Sequence, residues 1–360
     1  MLLSSQLLNE SNQFIEYIDL HGYYNAKAFL VQSCSTQNIS EWKNEPFQIE
    51  KEKNELIRLK LKKPSNALYF HIVINQDYHS AESHISLAPL PAITSEIIRN
   101  KLAQSSIAFL CCARNVEEKL MQSLQIISRF GTLFGKHKIY IFENDSTDNT
   151  REILFSIKEK YPEIHLIQEE DLVKRMPLRT ERLAYARNKL KSLSLTEGFD
   201  YYVPSDVDGV ISLEDTVSSF ISPFVFESAW DACFPLNKYF YYDIWALRVN
   251  GYINDDYTNI LSNLPGVFKK NSALKIAALQ YQHLNQSMLR GWLPVQSAFG
   301  GMGIYKHDTF VLGTYIGTAH GKEICEHVSF NFEQTKTGKK HYICPDFTIT
   351  GLTPEQEYLF

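Results

Sequence analysis

The chain has 360 residues, of which 44% are hydrophobic and 21% are charged, and its formal net charge is -5 at pH 7. This length exceeds the usual size of a single core, and the composition is that of a folded protein, which excludes global disorder. The weak negative charge gives no general electrostatic attraction to nucleic acid or anionic lipid, so we expect no nucleic-acid partner.

The amino-terminal residues do not have the pattern of a secretory signal. Residues 1–10 carry no basic leader, and their apolar run is interrupted early. Elsewhere the sequence has no run approaching the roughly 20 apolar residues that span a bilayer. We therefore expect a cytoplasmic protein without a transmembrane segment.

Residues 1–100 are predicted to form a small β-rich accessory module. Short β-prone runs at 55–61 and 67–74 are separated by polar and charged segments. Pro89-Leu90-Pro91 interrupts this pattern and is typical of a linker, because proline disrupts strand pairing. We place the domain boundary near residue 100, and the pattern assigns no function to the module.

Residues 101–360 show a different rhythm, in which short apolar runs alternate with longer helical patterns. This alternation predicts an α/β domain with a Rossmann-like, mainly parallel sheet flanked by helices. The predicted strands are 106–112, 138–142, 164–167 and 199–203. The predicted helices are 116–130, 149–160 and 271–290.

Two loops that follow predicted strands carry candidate binding residues, because ligands of open α/β sheets bind beyond the carboxyl ends of the strands. The first strand is followed by Ala113-Arg114-Asn115, and the second by a loop that includes Glu143 and Asp145. An acidic residue there is placed to accept hydrogen bonds from a ribose or a base. A plain helix cap with a turn is the alternative interpretation of this loop.

Three arginines lie in a helical segment just before the fourth predicted strand. Arginine offers a planar fork of donors that suits diphosphate oxygens. The spacing puts Arg179 and Arg182 near one face of the helix and turns Arg187 well away from it, so a single phosphate site built from all three is not expected. A solvated charged face is the alternative.

The fourth predicted strand ends in Asp206-Val207-Asp208. At an extended strand end, residues two apart project to the same side, so both carboxylates are placed to reach one divalent cation. Mn2+ or Mg2+ suits these hard oxygen ligands, and such an ion neutralises charge on a departing nucleotide. An isolated Asp-x-Asp also arises by chance, and its weight here comes from the loops and arginines that precede it.

This ordered set resembles the glycosyltransferase A fold over approximately residues 106–345. A narrower likeness, to the cryptococcal capsule-associated α-1,3-mannosyltransferase family, is carried by Tyr242-Asp243-Ile244-Trp245-Ala246-Leu247-Arg248 and Cys325-Glu326-His327-Val328. One departure is Glu143-Asn144-Asp145, which stands where the wider fold commonly has Asp-Asp-Gly.

The resemblance implies roles for individual residues. Asp206 and Asp208 contact the metal and the donor diphosphate, and Glu143 contacts the nucleoside. Tyr242, Asp243 and Trp245 face the acceptor, with Asp243 a catalytic candidate. The aromatic side chains of Trp245 and Trp292 are candidates to stack on sugar rings, and core packing is the alternative for each. The remaining donor-side candidates are Ala113, Arg114, Asn115, Asp145, Arg182 and Arg187.

Glu326 and His327 follow the glycine-bearing segment 299–305. The Glu326 carboxylate is a candidate to take the proton of an acceptor hydroxyl if the reaction inverts the anomeric centre. His327 is a candidate third metal ligand, with His320 or His341 as more distant choices. An ordinary core or solvated histidine is the competing interpretation for each.

Taken together, the sequence predicts a metal-dependent glycosyltransferase. Its partners are expected to be a nucleoside diphosphate-sugar donor, GDP-mannose or a UDP-sugar, and a glycan or other hydroxyl acceptor. Two alternatives stay open. One is a metal-dependent nucleotidyltransferase or nucleotide-sugar hydrolase, and the other is a non-catalytic nucleotide-sugar-binding protein.

Overall fold

The structure is a computed structural model that describes residues 2–8, 15–21, 28–34, 43–45, 47–51, 56–65, 69–75, 84–89, 95–238, 241–251, 253–256 and 292–351. The chain divides into two compact units. The first comprises Met1–Ile93, Phe226–Ala229 and Met288–Trp292, and the second comprises the rest. The helix predicted at 271–290 lies outside the described residues.

The first unit contains two four-stranded antiparallel sheets, with strand orders β1-β7-β3-β4 and β5-β6-β2-β8. Their strands are β1 (Leu2–Leu8), β2 (Ile15–His21), β3 (Ala28–Cys34), β4 (Lys43–Asn44), β5 (Phe47–Lys51), β6 (Leu56–Ser65), β7 (Tyr69–Asn75) and β8 (His84–Pro89). Alternate residues such as Leu59 and Leu61 are buried, as expected of a strand with one face on a core. The amino-terminal segment is therefore β-rich as predicted, while its role as an accessory module stays a prediction.

The second unit is built on a mixed sheet of eight described strands in the order β11-β10-β9-β12-β15-β13-β18-β14. Its strands are β9 (Ser106–Ala113), β10 (Lys136–Asn144), β11 (Ile164–Glu169), β12 (Tyr201–Asp206), β13 (Ala232–Asn237), β14 (Leu293–Pro294), β15 (Ile304–Lys306) and β18 (His341–Ile349). Strands β9 to β12 run parallel. A separate hairpin joins β16 (Thr318–Ala319) to β17 (Lys322–Glu323). The four predicted strands are confirmed as β9 to β12.

The helices of the second unit connect and cover these strands. They are α1 (Ser95–Leu102), α2 (Glu117–Gly131), α3 (Thr150–Lys158), α4 (Leu172–Arg175), α5 (Arg179–Leu195), α6 (Val217–Ile221), α7 (His307–Phe310) and α8 (Glu326–Lys336). A 3-10 segment follows α6 at Ser222–Ala229, of which Phe226–Ala229 are counted with the first unit. Helices α2 and α3 confirm the predictions at 116–130 and 149–160. The predicted α/β class, with a largely parallel sheet flanked by helices, is confirmed.

The chain order of the parallel strands places the helices on opposite faces. From β9 the chain moves outward to β10 through α2 and to β11 through α3, and then returns through α5 to β12 on the other side of β9. Because such crossovers are right-handed, α2 and α3 cover one face and α5 covers the other. Helix α5 packs on β9 and β10, and α8 packs on α5.

Strand β9 is the centre of this core, and Ile107 to Cys111 along it are fully buried or nearly so. A strand covered by helices on both faces is expected to be apolar throughout, which is the pattern seen here. No helix of the described segments has the length and apolar character needed to cross a membrane.

Candidate functional site

The strand order creates a crevice at the carboxyl end of the sheet. The chain order reverses between β9 and β12, because β10, which follows β9 in the sequence, lies on the side of β9 opposite to β12. In open α/β sheets ligands bind at such switch points, beyond the carboxyl ends of the two strands. Here those ends are Ala113 and Asp206, so the loop that follows Ala113 and the segment Asp206-Val207-Asp208 are neighbours in space.

Asp206 and Asp208, which we term the acidic pair, stand at this crevice. The backbone N–H of Asp206 donates to the carbonyl of Gly301 at 2.9 Å, which fixes the end of β12. Asp208 reaches solvent, yet burial is the main cause that raises its pKa to about 6, with the charge of Asp206 adding to it.

Arg187 joins the acidic pair to the beginning of α8. Its side chain is 5% exposed. Nη2 donates to Oδ1 of Asp206 at 3.1 Å, and Nε donates to Oε1 of Glu326 at 3.0 Å. The guanidinium also lies 5.0 Å from the ring centroid of Phe299. One buried guanidinium group thus binds two candidate carboxylates from distant parts of the sequence.

Three further arginines, Arg114, Arg179 and Arg182, form what we term the arginine group. The charge of Arg179 acts on Asp208, where it opposes the rise in pKa. Burial lowers the pKa of Arg182, and the neighbouring charge of Arg114 adds to this effect. Arg182 donates through Nη1 to the carbonyls of Met176 and Pro177, both at 2.7 Å. Arg179 therefore brings positive charge near Asp208, and the charges of Arg179 and Arg114 in turn act on Arg182.

Asp243 ties the glycine-bearing turn to the segment that follows β13. Its Oδ2 accepts from the N–H of Gly300 at 3.0 Å, and its Oδ1 accepts from Ala246 at 3.4 Å. Burial raises the pKa of Asp243 to about 6, against the bond from Gly300, and the charge of Asp206 contributes. The sequence-predicted Asp243 is therefore close to the acidic pair.

Tyr242 and Trp245 occupy the same segment but differ in their contacts. The Tyr242 hydroxyl is buried and accepts no bond from the described residues. Burial raises its pKa far above the usual value, and the charges of Asp206, Asp243 and Asp208 add to it. Trp245 donates through Nε1 to Asp256 at 2.8 Å and packs on a small apolar cluster that includes Phe299.

The turn at Gly300 and Gly301 needs glycine. Both residues have positive φ, +66° and +95°. A Cβ on Gly301 would lie 2.8 Å from the Tyr242 hydroxyl and 2.8 Å from a methyl group of Val210. The absence of a side chain lets this turn approach the acidic pair and Tyr242 closely.

Glu143 and Asp145 make contacts of a buried turn. Glu143 is 0% exposed and accepts from the Ser146 N–H at 3.0 Å, from Arg151 at 3.1 Å and from Gln168 at 3.3 Å. Asp145 accepts from the N–H of Val173 at 3.0 Å. These protein donors occupy the carboxylates that the sequence offered for nucleoside binding.

Ala113, Arg114 and Asn115 lie beside that turn. Nε of Arg114 donates to the carbonyl of Asp145 at 3.4 Å. Asn115 has a φ of +53°, which asparagine tolerates better than most residues, and its Oδ1 accepts from the N–H of Thr147 at 2.8 Å. The structure therefore brings the two predicted donor loops together.

The amino terminus of α2, which follows β9, is already satisfied by protein groups. The N–H of Glu117 donates to Asp148 at 3.1 Å, and that of Val116 donates to the Thr150 hydroxyl at 2.8 Å. In dinucleotide-binding folds this helix end binds phosphate. Here Asp148 supplies the negative charge instead, so an anionic ligand at the switch point depends on other positive groups.

His327 lies in the core next to Glu326. It is 3% exposed, and its ring stacks on Phe299 with 3.7 Å between ring centroids. Burial lowers its pKa well below the usual value, and the charge of Arg187 adds to this effect. In the part of the chain that the structure describes, no three His, Cys, Asp or Glu side chains converge as a metal site. His327 is therefore not gathered with the acidic pair into a three-ligand set.

The acidic pair itself fits a divalent cation. Asp206 and Asp208 are hard oxygen donors at the end of β12. Burial is the main cause of the raised pKa of Asp208, and the charge of Asp206 adds a repulsion that a cation would relieve. Mg2+ and Mn2+ commonly take one or two carboxylates from the protein, with water and substrate phosphates completing the shell. A pair without a third protein ligand is consistent with that chemistry.

The contacts of Arg187 with Asp206 and Glu326 are a feature that the sequence pattern did not reveal. Arg187 was predicted to point away from Arg179 and Arg182, and α5 indeed buries it while Arg179 is exposed. The signal in the sequence is that Arg187 falls on the face of α5 marked by the buried residues Ala184 and Leu190. A charged residue on a buried helix face requires a partner, which the sequence alone does not identify.

No family model matches the chain, and no curated protein matches it. Among solved structures, the chain is similar to a mannosyltransferase from Pyrobaculum calidifontis in complex with GDP-Man and Mn2+, with 14% identity and a TM-score of 0.42 over 71% of this chain and 59% of that chain. It is similar to TarS 1-349 of S. aureus, with 12% identity and a TM-score of 0.40 over 70% of this chain and 62% of that chain.

A third similar structure is glucosyl-3-phosphoglycerate synthase from Mycobacterium tuberculosis in complex with Mn2+, uridine-diphosphate and phosphoglyceric acid. The identity is 13% and the TM-score is 0.40 over 75% of this chain and 78% of that chain. The chain spans about three fifths of the length of the first two proteins. At these identities the similarity concerns the arrangement of strands and helices.

Proposed function

We propose that the chain is a metal-dependent glycosyltransferase that moves a sugar from a nucleoside diphosphate donor to a hydroxyl group of an acceptor. The observation that carries the proposal is the juxtaposition of the acidic pair and the arginine group at the switch point of the sheet. Arg179 is close enough to Asp208 to act on its pKa, and Arg114 is close enough to act on Arg182. Carboxylates and arginines that lie together at the carboxyl end of the sheet suit a ligand that consists of a metal cation and an anion.

A nucleoside diphosphate bound through a divalent cation is such a ligand. Two carboxylates alone repel a diphosphate, whereas a cation between them neutralises both. When bound, Mn2+ or Mg2+ at Asp206 and Asp208 would stabilise the charge that develops on the leaving diphosphate. The arginine group would bind phosphate oxygens that the cation leaves uncompensated. The arginines are needed for this role because the N–H of Glu117 at the amino terminus of α2 already donates to Asp148 and is not free to bind phosphate.

The two predicted catalytic carboxylates differ in what holds them. Both oxygens of Asp243 accept backbone N–H groups, which supports a role in shaping the acceptor side. Oε1 of Glu326 accepts a hydrogen bond from Nε of Arg187. In the proposed reaction the bond between the anomeric carbon and the diphosphate breaks, the acceptor oxygen bonds to that carbon, and Glu326 takes the hydroxyl proton.

Further details belong to the same proposal. Mannose from GDP-mannose, a glycan acceptor, a glycosyltransferase A type of fold and membership of the cryptococcal capsule-associated family come from the resemblance carried by residues 242–248 and 325–328. We assign the chemistry to residues 101–360 and an accessory role to residues 1–100.

The acidic pair gives the test. Purified wild-type protein is incubated with a panel of GDP- and UDP-sugars and a mixture of glycan acceptors, with and without Mn2+, and released nucleoside diphosphate is measured. We expect Mn2+-dependent release with at least one donor. Asp206→Asn and Asp208→Asn are each expected to lower it by about two orders of magnitude or more, because preorganised stabilisation of the leaving group is lost.

Asp308→Asn is the matched control. Asp308 is an exposed aspartate in α7, which directly follows β15, and β15 pairs with the amino end of β12, so the substitution is expected to leave turnover unchanged. Full Mn2+-dependent turnover by a folded Asp206→Asn or Asp208→Asn protein would contradict the proposal. Release of pyrophosphate would instead indicate nucleotidyl transfer, and acceptor-independent release would indicate hydrolysis.

A further inference from the structure

Arg187 is the point at which three elements of the site meet. It projects from α5 and donates to Asp206 at the end of β12 and to Glu326 at the start of α8. The two partners lie 19 and 139 positions away in the sequence. One guanidinium therefore sets the relative position of a proposed metal ligand and a proposed proton acceptor.

The surroundings of Arg187 make these two bonds directional. The side chain is 5% exposed, and the ring of Phe299 lies 5.0 Å from the guanidinium carbon. Hydrogen bonds to charged groups are stronger where water is excluded, and the cost of leaving such groups unpaired rises as well. Each carboxylate is consequently held in the orientation that meets the guanidinium.

The hydrogen bonds of Arg187 differ from those expected of a guanidinium group that is simply buried in the core. Nε and Nη2 each meet a carboxylate, whereas Nη1 is buried and has no hydrogen-bond partner in the described part of the chain. A buried guanidinium that served only packing would be expected to satisfy Nη1 through nearby carbonyls. Arg248 is equally buried, and its Nη1 donates to the carbonyls of Trp245 and Leu247.

We propose that Arg187 is a positioning residue that orients Asp206 toward the cation and Glu326 toward the acceptor hydroxyl. This inference rests on the proposed function, because it assigns the two carboxylates the roles given there. Each carboxylate contacts Arg187 through one oxygen, Oδ1 in Asp206 and Oε1 in Glu326. The guanidinium fork binds the carboxylates of Asp206 and Glu326 at the same time, so losing the bond to one of them also changes the position of the other.

Lysine at this position separates geometry from charge. A lysine keeps the positive charge but has a single ammonium group without a planar fork, so it cannot hold two carboxylates in fixed orientations. Replacement of a residue that orients a metal ligand typically lowers metal affinity or activity by about 10- to 100-fold. An Arg187→Lys protein is therefore expected to bind Mn2+ alone, measured by calorimetry without donor, about tenfold more weakly than the wild type.

Turnover gives the second measurement. We expect kcat of Arg187→Lys to fall by about 100-fold or more while KM for the donor changes only a few-fold, because misplacement of catalytic groups acts mainly on the chemical step. Arg248→Lys controls for the loss of a buried guanidinium. It is expected to lower the thermal midpoint to a similar extent and to leave the Mn2+ dissociation constant unchanged.

A double substitution tests whether Arg187 transmits the effect of Glu326. Glu326→Gln is expected to weaken Mn2+ binding in the wild-type background more than in the Arg187→Lys background, because the connecting bond is already lost in the latter. Equal effects in the two backgrounds, or wild-type Mn2+ affinity and kcat in a folded Arg187→Lys protein, would overturn the positioning role. Wild-type protein that binds neither Mn2+ nor any donor would instead overturn the proposed function, and the positioning role with it.

Discussion

The hydroxyl group of Tyr242 is buried beside three carboxylates and has no hydrogen-bond partner in the described residues. A buried polar group without a partner destabilises a fold, and such groups in native proteins usually have a functional explanation. Its neighbours are the acidic pair and Asp243. We therefore expect this hydroxyl to act on a bound ligand rather than to stabilise the protein.

Tyr242→Phe tests this expectation. Removing an unpaired hydroxyl is expected to leave the free energy of unfolding unchanged or to raise it by up to about 1 kcal/mol. The thermal stabilisation gained on adding Mn2+ with GDP or UDP is expected to shrink. Both quantities are measured by thermal unfolding with and without these ligands.

The adjacent residue provides the control. The hydroxyl of Tyr241 accepts from the N–H of Phe299 at 3.2 Å, so Tyr241→Phe leaves a buried N–H unsatisfied. It is expected to lower the unfolding free energy by about 1 to 2 kcal/mol. A Tyr242→Phe protein as unstable as Tyr241→Phe would contradict the assignment.

The acidic pair and Arg187 show how far the sequence reaches at this scale. Asp206 and Asp208 were predicted as neighbours because alternation along a strand places residues two apart on one side. Arg187 and Glu326 were both candidates, but their contact joins residues 139 positions apart and depends on how α8 packs on α5. Local periodicity carries no information about such a contact.

Among the elements, strands β9 to β12 were predictable because they are short apolar runs, and helices α2 and α3 were predictable because longer helical patterns separate those runs. The occupied amino terminus of α2 was not, because Asp148 lies in the next loop along the sheet and meets Glu117 only after β9 and β10 pair. The same holds for Glu143, whose role depends on Arg151 and Gln168 from two other elements.

Strand β18 contains a buried histidine that makes folding dependent on pH. His341 is 2% exposed, neither ring nitrogen has a partner in the described part of the chain, and its aromatic neighbours are Phe234 and Tyr305. Burial lowers its pKa to about 3, against an ordinary value of 6.5. Because the folded pKa is depressed, the unfolded chain binds the proton first as the pH falls.

The stability linked to His341 is therefore present above pH 6.5 and is lost as the pH falls from 6.5 towards 3. His341→Leu is expected to remove this contribution, which amounts to about 4 kcal/mol across that range, while the buried His327, whose pKa is also lowered, keeps a pH dependence of its own. Urea unfolding at several pH values measures it. His320→Asn, a substitution of an exposed histidine at a φ of +52°, is the control and should keep the wild-type profile. An unchanged profile for His341→Leu would contradict the prediction.

At the scale of the whole second unit, the two ends of the parallel sheet differ: candidate binding groups lie at the carboxyl end, and hydrogen bonds that join strands lie at the amino end. The carboxyl end bears the acidic pair, the arginine group and the Gly300 turn. The amino end is tied by Asp200, whose Oδ2 accepts from the N–H and the hydroxyl of Ser106, both at 2.7 Å. This links the amino ends of β9 and β12, and the carbonyl of Asp200 accepts the first N–H of α7 from His307 at 3.0 Å.

Asp200→Ala tests whether the two ends are independent. It removes the charge-assisted bonds that join β9 and β12, and because Asp200 is exposed we expect a loss of only about 1 to 2 kcal/mol of unfolding free energy. Since the strand between them is six residues long, Asp200 lies roughly 20 Å from Asp206, and the affinity for Mn2+ is expected to stay at the wild-type value. Asp208→Asn is expected to give the opposite result, with Mn2+ binding lost and stability little changed, because Asp208 is exposed and burial already raises the pKa of its carboxyl group. Urea unfolding and Mn2+ calorimetry on both proteins decide the matter, since weakened Mn2+ binding by Asp200→Ala would show that the two ends are not independent.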